Sequence, residues 1–267
     1  MAVMSTFRIL RWGSDDLPAV VCLHDLRGHA RRFERLARML EPGRMVVAYD
    51  LRGHGRSPWS GPHTVEQHLD DLTEVLDECA IDQTGLIGES FGARLVLEYA
   101  IANQERVNSI TLLEPPLTPS PEALRRLAQA ERRGGGFASV DEAIERRREQ
   151  DGLIHTPRAL LEEEMGEHLV ADDDGRFRYR YSHEAVAAAL EELSHPATHL
   201  NDVLCPTMVV QAEDSSWLSE QDIERITDEI RRVRVERVPG GRVVLWDALA
   251  ESSALVRDFL VARRKTA

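Results

Sequence analysis

The sequence predicts an α/β protein whose mostly parallel sheet is covered by helices on both faces and interrupted by an inserted helical cap. Short apolar runs of the buried-strand type alternate with segments of helical periodicity over residues 19–113 and again from 207 onward. Strands and helices of this length imply right-handed crossovers. Between them, residues 115–200 hold charged helical segments and no buried-strand pattern. We therefore expect a core of residues 1–114 and 201–267 with a cap at 115–200.

The predicted elements follow from local patterns. The run AVVCL after Pro18 is continuously apolar, and Phe33, Leu36, Ala37 and Leu40 recur at helical spacing. Strands are expected at 6–12, 19–23, 45–49, just before Gly88, 107–113, 207–212 and 233–238. Helices are expected at 30–40, 64–79, 93–102, 121–133, 139–150, 157–169, 184–193, 219–230 and 248–263.

Composition excludes several classes of function. The net charge of −13 argues against a sequence-independent nucleic-acid binder or a protein of anionic membranes. The three cysteines, Cys22, Cys79 and Cys205, are too few and too far apart for a disulfide framework or a metal cluster. The N-terminus lacks a hydrophobic segment of signal-peptide length. We expect a cytoplasmic protein with no metal, cofactor, nucleic-acid partner or membrane contact, and we leave its oligomeric state open, a homodimer being one option.

The most informative motif is Gly88-Glu89-Ser90-Phe91-Gly92, which lies between a strand pattern and a helix pattern. A serine at the tip of such a turn has strained backbone, and small residues two positions away let the neighbouring chains pass. Strand, Gly-x-Ser-x-Gly and helix in this order predict a nucleophile elbow. The turn would also direct backbone N–H groups and a helix N-terminus toward one point.

Together with this elbow, the loops HDLRG (24–28) and DLRGHGRS (50–57) and the segment VPGGRVVLWDA resemble those of the α/β-hydrolase fold family, in particular its capped, esterase- and lactonase-like members. The resemblance covers essentially the whole chain. It implies a serine nucleophile, a histidine base, an orienting carboxylate and two backbone donors. It places the nucleophile at Ser90 and the donors at Leu26 and Phe91, and implies a small acyl substrate.

The chain departs from the family pattern at three positions. Asp25 stands where the family has glycine, and Arg242 stands where it usually has the catalytic histidine. Arginine has no lone pair to accept a proton and stays charged, so it cannot act as the base. The usual acid position holds Ser216, which leaves Glu114 or Asp214 as the candidate acid. The expected pocket residues are His24, Asp25, Glu89 and Arg242.

Other histidines are weaker candidates for the base. His24 and His54 are expected to support loops, and His68 is expected to face solvent. Of the cap histidines, His183 is favoured because it follows the run RFRYRY, whose alternation predicts an aromatic face that either lines the pocket or forms cap core. No histidine has metal-site spacing.

Three functions remain open. The first is a serine hydrolase of a small ester, lactone or other acyl compound with a degenerate triad. The second is a catalytically inactive pseudo-hydrolase that binds a ligand under the cap. The third is a cofactor-free lyase or isomerase on the same fold.

Overall fold

A computed structural model of the chain describes residues 6–151, 153 and 155–261. Its main sheet has seven strands: β1 (Ile9–Trp12), β2 (Ala19–Leu23), β3 (Met45–Tyr49), β4 (Thr84–Glu89), β5 (Val107–Leu113), β8 (Thr207–Ala212) and β9 (Val233–Val238). The order across the sheet is β1-β3-β2-β4-β5-β8-β9. Only β1 runs antiparallel, pairing with β3, and the other neighbours are parallel. The predicted fold class is therefore confirmed.

Helices cover both faces because side chains alternate along each strand. In β2, Val21 and Leu23 face one apolar cluster, whereas Val20 and Cys22 face the other. The second cluster is covered by α1 (Glu34–Leu40), which follows a 3₁₀ turn (Ala30–Phe33), and by α9 (Val244–Asp247) and α10 (Leu249–Val261). The first is covered by α2 (Val65–Glu78), α3 (Phe91–Ala102) and α8 (Glu220–Glu229). The predicted continuation of the last helix to Arg263 lies outside the described residues.

The described residues between β5 and β8 form four α-helices: α4 (Pro121–Arg132), α5 (Val140–Asp151), α6 (Arg158–His168) and α7 (His183–Glu192). This segment also contains an antiparallel hairpin of β6 (Leu169–Ala171) and β7 (Phe177–Tyr179), where the sequence predicts no buried strand. The alternation of RFRYRY coincides with β7, but its partner β6 has only three residues, too few to show a strand period. Apolar side chains of this segment join the cluster that covers α3. The segment between β5 and β8 is called the cap below; that it forms a separate domain with boundaries at 115 and 200 stays a prediction.

Among the described residues, no helix combines the length and the apolar character needed to cross a bilayer.

Candidate active site

Ser90 lies at the turn from β4 to α3, and its backbone has φ 50° and ψ −111°. This region is unfavourable for a residue with a side chain, so the surrounding structure must hold it. The Ser90 N–H donates to the Leu113 carbonyl at 2.8 Å, which ties the turn to β5. A Cβ at Gly88 would clash with the Gly92 carbonyl, and one at Gly92 with the Leu23 carbonyl. Only glycines at these positions allow the close approach of the chains.

The backbone beside Ser90 offers donors for an oxyanion. Phe91 is the first residue of α3, so its N–H has no acceptor in the preceding turn. In the part of the chain that is described, neither this N–H nor that of Leu26 donates to a protein acceptor. His54 Nε2 lies 2.8 Å from the Leu26 carbonyl oxygen and helps to fix that peptide. The two N–H groups are thus available to a ligand.

Ser90 faces a cavity of about 660 Å³. Its walls come from the loop after β2 (Leu26, Arg27), from cap residues including Leu127 and His155, and from the loops after β8 and β9 (Asp214, Arg242). The cavity lies beyond the carboxyl ends of the parallel strands, where ligands bind in open α/β sheets.

A smaller cavity brings Glu114 and Arg242 to the same place as Ser90. Glu114 follows β5 with a φ of 50° and is 1% exposed. Its carboxylate accepts hydrogen bonds from the Ala212 N–H at 2.5 Å and from the Ser215 hydroxyl. Burial raises the pKa of Glu114, while these two hydrogen bonds and the Arg242 charge act to lower it. Arg242 also lies over the Trp217 ring at 5.1 Å.

Asp214, the other candidate acid, faces His155 and solvent. Its side chain is 59% exposed, and its Oδ2 lies 3.5 Å from Nε2 of His155. His155 belongs to the cap segment and lines the same cavity as Ser90. The sequence favours His183 instead, because no local pattern marks the loop of His155 as part of the pocket. His183 lies 2.7 Å from a Glu131 carboxylate oxygen and does not line the Ser90 cavity.

No described side chain makes a hydrogen bond to the Ser90 hydroxyl. The sequence places His24 in the pocket, but the ring is fully buried and lines none of the described cavities. It accepts from the Leu51 N–H at 2.9 Å, and its Nδ1 donates to the Asp25 carbonyl at 2.7 Å. Both nitrogens are engaged, so His24 cannot act as a base without breaking the loop.

The expectation that His68 faces solvent is wrong. Its ring is 2% exposed and packs edge-on against Phe91, with ring centroids 5.5 Å apart. Burial lowers the pKa of His68 to about 3. The ring faces α3, so the side of α2 that carries His68 is a packing face rather than a solvent face.

Asp25 lines the cavity, yet its carboxylate points back into the protein and pairs with Arg32. Arg32 also bonds Glu89 at 3.2 Å and Glu164 of α6 at 2.7 Å, and its guanidinium lies over the Trp246 ring at 4.5 Å. The Arg32 side chain is fully buried. The carboxylate at the family's glycine position is thus neutralised by a cation rather than directed at the oxyanion donors.

Burial and the charge of Arg32 shift the pKa values of two carboxylates that pair with it, Glu89 and Glu164. Burial raises the pKa of Glu89 to about 7, although Arg32 acts to lower it. Burial also opposes ionisation of Glu164, but His29 and Arg32 hold the pKa of Glu164 well below its usual range. His29 Nε2 lies 2.9 Å from the Glu164 carboxylate. Glu89, which precedes Ser90, and Glu164 of α6 therefore share Arg32 as their buried cation.

The described residues contain no group of three or more His, Cys, Asp or Glu side chains able to hold a metal ion.

Comparison with known proteins gives a family match over most of the chain. A model described as the alpha/beta hydrolase fold matches residues 18–248. Lipase LipV of Mycobacterium tuberculosis is 30% identical over 230 residues, covering 80% of this chain and 81% of that protein. The sn-1-specific diacylglycerol lipase ABHD11 of Danio rerio is 25% identical over 221 residues, covering 80% of this chain and 69% of that protein.

Solved structures agree in fold. An E-2-(acetamidomethylene)succinate hydrolase superposes with a TM-score of 0.84 at 21% identity, covering 95% of this chain and 94% of that one. The enol-lactonase from Burkholderia xenovorans LB400 superposes with a TM-score of 0.79 at 18% identity, covering 96% of both chains. At these identities the likeness shows the fold alone.

Proposed function

The chain belongs to the α/β-hydrolase family, and we propose that it hydrolyses a small ester, lactone or other acyl compound with Ser90 as nucleophile and a degenerate triad. One observation carries this proposal. Ser90 is held in strained backbone at the floor of a 660 Å³ cavity, beside two backbone N–H groups with no described protein acceptor. Such strain is maintained where a site requires it. The hydrolases and lipases among the relatives support acyl chemistry at family level.

In the proposed reaction, the Ser90 hydroxyl oxygen attacks the acyl carbon, and the N–H groups of Leu26 and Phe91 stabilise the resulting oxyanion. The leaving group departs with the proton that the Ser90 hydroxyl has lost, and Ser90 is left as an acyl ester. A water molecule then attacks this ester, which releases the acid and returns a proton to Ser90. Each half-reaction needs a group that takes up a proton and returns it. Arg242 cannot do so, because guanidinium has no acceptor lone pair at ordinary pH.

We assign the proton-accepting role to His155. Among described histidines, it is the one that lines the Ser90 cavity. A neutral ring with its proton on Nε2, the nitrogen facing Asp214, keeps Nδ1 as an acceptor. His155 is 44% exposed on a cap loop, so it is less firmly positioned than a residue after the last strand. Turnover is accordingly expected to be slow.

We assign to Glu114 the role of the triad acid, which would orient a histidine at position 242. The carboxylate is buried, held by two hydrogen bonds and electrostatically coupled to Arg242. Asp214 is exposed and paired with His155 instead. The chain thus keeps an acid where a histidine at 242 would need one.

The proposal is tested by the hydrolysis of 4-nitrophenyl acetate, with Ser90→Ala as the control. We expect slow turnover that disappears in the variant, and covalent labelling of Ser90 by a fluorophosphonate. Oxyanion donors and binding alone give roughly 10³–10⁴-fold acceleration in worked protease cases. Equal turnover by the native protein and Ser90→Ala, together with an unlabelled Ser90, would sink the proposal.

A second function, ligand binding without turnover, is favoured by the lack of a described hydrogen-bond partner for the Ser90 hydroxyl and by the cation at position 242. It predicts saturable binding in the cavity with no release of 4-nitrophenol above that of Ser90→Ala. No observation of this kind favours a lyase or an isomerase.

A further inference from the structure

Three features that the proposed reaction does not use meet at a second cavity of about 370 Å³. They are the glycine run at Gly134 and Gly135, the cap arginines Arg146 and Arg147, and the aromatic residues Tyr179 and Tyr181. The glycines lie between α4 and α5, the arginines on α5, and the tyrosines on and after β7. Their convergence on one opening indicates a built site.

Cations dominate the lining. Arg27, Arg146 and Arg147 contribute three guanidinium groups, whereas Glu131 contributes the one carboxylate among the lining residues. That carboxylate already accepts from Arg27 at 2.8 Å and lies 2.7 Å from His183 Nδ1. Arg147 is 2% exposed and donates to the Arg27 carbonyl at 3.2 Å, which ties α5 to the loop after β2. Arg146 is also paired with Glu142, at 2.5 Å. The two glutamates neutralise part of this charge, and the three guanidinium groups outnumber these two carboxylates.

Aromatic rings lie beside these arginines in the cavity lining. Tyr179 and Tyr181 are stacked, with ring centroids 5.1 Å apart and planes 14° apart. Phe137 meets Tyr179 edge-on at 4.9 Å, and the Arg146 guanidinium lies over Phe137 at 4.7 Å. A planar ring bearing an anionic group matches this combination, because arginine pairs with oxyanions and aromatic walls stack on flat groups.

Two glycines, Gly134 and Gly135, form part of the cavity lining. Gly134 and Gly135 have φ of 62° and 146°, which residues with side chains rarely adopt. A Cβ at Gly134 would lie 3.6 Å from His183, and one at Gly135 3.9 Å from Arg146. Neither would clash with its neighbours, so the glycines are required by backbone conformation, and they add no side chain to the cavity lining.

The second cavity adjoins the first, since Arg27 and Leu127 line both. Arg27 follows the oxyanion donor Leu26 directly in the chain. A ligand with its acyl carbon at Ser90 can therefore extend past Arg27 toward the arginines of the cap.

We propose that the second cavity binds a planar group carrying an oxyanion, phosphate or carboxylate, at the far end of the acyl substrate. This proposal rests on the proposed function for the acyl end, but the binding of the anionic group does not depend on turnover. The substrate class is then an acyl ester or lactone with an anionic aromatic or similarly flat tail.

The test is calorimetric titration of the full chain with phenyl phosphate, benzoate and neutral benzyl alcohol. We expect both anions to bind more tightly than the alcohol, and the tighter anion identifies the oxyanion. Arg146→Gln should raise the Kd of the anions about tenfold, the effect of losing one charge-assisted hydrogen bond. Arg126→Gln is the matched control, because Arg126 also pairs with a glutamate four residues earlier but lies outside the cavity. Equal binding of alcohol and anions, or equal effects of the two variants, would overturn the proposal.

Two esters that differ in a carboxylate test whether the second cavity binds the substrate during hydrolysis. For 4-acetoxybenzoate, Arg146→Gln should raise KM about tenfold with kcat unchanged, while KM for neutral phenyl acetate stays the same. Anion binding that depends on Arg146 without hydrolysis of either ester would retain the site and reject the hydrolase. Hydrolysis of both esters with no effect of Arg146→Gln would retain the hydrolase and reject the site.

Discussion

The Arg242 guanidinium and the Glu114 carboxylate line one small cavity with Ser90 and interact electrostatically. The cation counteracts the effect of burial on the pKa of Glu114. A buried carboxylate and the serine of the elbow thus line one cavity together with a residue that cannot carry a proton back and forth.

Arg242→His should create an efficient hydrolase with a single change. Glu114 already lies beside position 242, so the new histidine would have an orienting partner without any substitution at Ser216. A positioned general base contributes roughly 10²–10⁴-fold, and we expect kcat/KM for 4-nitrophenyl acetate to rise within that range.

The control for this gain is Glu114→Gln in the Arg242→His background. It removes the carboxylate but keeps the side-chain size, and should reverse most of the gain. If the double variant remains as active as Arg242→His, Glu114 is not the acid. A gain lost on Asp214→Asn instead would reassign that role to Asp214.

His155→Gln should lower the slow turnover of the native protein by at least about tenfold, because it removes the proposed proton acceptor. The same change in the Arg242→His background should have little effect. His199→Gln is the matched control, since His199 also lies near an aspartate, 3.7 Å from Asp202, but is 73% exposed and outside the Ser90 cavity. Identical rates for the two glutamine variants would contradict the role of His155.

Arg32→Met should lower the free energy of unfolding by about 3–5 kcal/mol, because it leaves three carboxylates buried without their cation. The carboxylates concerned are Asp25, Glu89 and Glu164. Arg38→Met is the control: it removes an exposed arginine that pairs with Glu34 within one helix, and should change stability little. Urea unfolding of both variants measures the difference. A similar small effect for both would show that the buried network contributes little.

The pKa of Glu89 predicts how Glu89→Gln changes stability with pH. Burial raises that pKa from 4.5 to about 7 in the folded state. Below pH 4.5 the carboxyl is protonated in both states; between pH 4.5 and 7 only the unfolded state loses the proton, so stability falls as pH rises. Glu89→Gln removes this loss, and its stability relative to the native protein should increase from pH 5 to pH 8.

The control for this pH effect is Glu66→Gln, which changes an exposed carboxylate in the first turn of α2. Its stability difference from the native protein should be nearly constant over the same range. A constant difference for Glu89→Gln as well would mean that Glu89 is ionised throughout.

The elbow and the sheet could be predicted because their signals are local. The apolar runs specify buried parallel strands, and glycines on either side of Ser90 specify the tight turn. The alternation of residues 176–181 predicts an aromatic face but not the hairpin, because the partner strand β6 has only three residues and shows no strand period.

The direction of the site's side chains could not be predicted, because it depends on partners distant in sequence. Asp25 turns away from the oxyanion donors because Arg32 is buried behind it, and Arg32 itself is held by Glu164, 132 residues later. His155 approaches Asp214 only through the path of a cap loop. No spacing rule encodes such contacts.

Ser90 is proposed to act as a nucleophile without the usual base at position 242. This is tested by the rate at which a fluorophosphonate labels Ser90, followed by intact-protein and peptide mass spectrometry. We predict slow labelling of Ser90 in the native protein, none in Ser90→Ala, and labelling faster by roughly 10²-fold or more in Arg242→His. An unlabelled Ser90 in both the native protein and folded Arg242→His would contradict the claim.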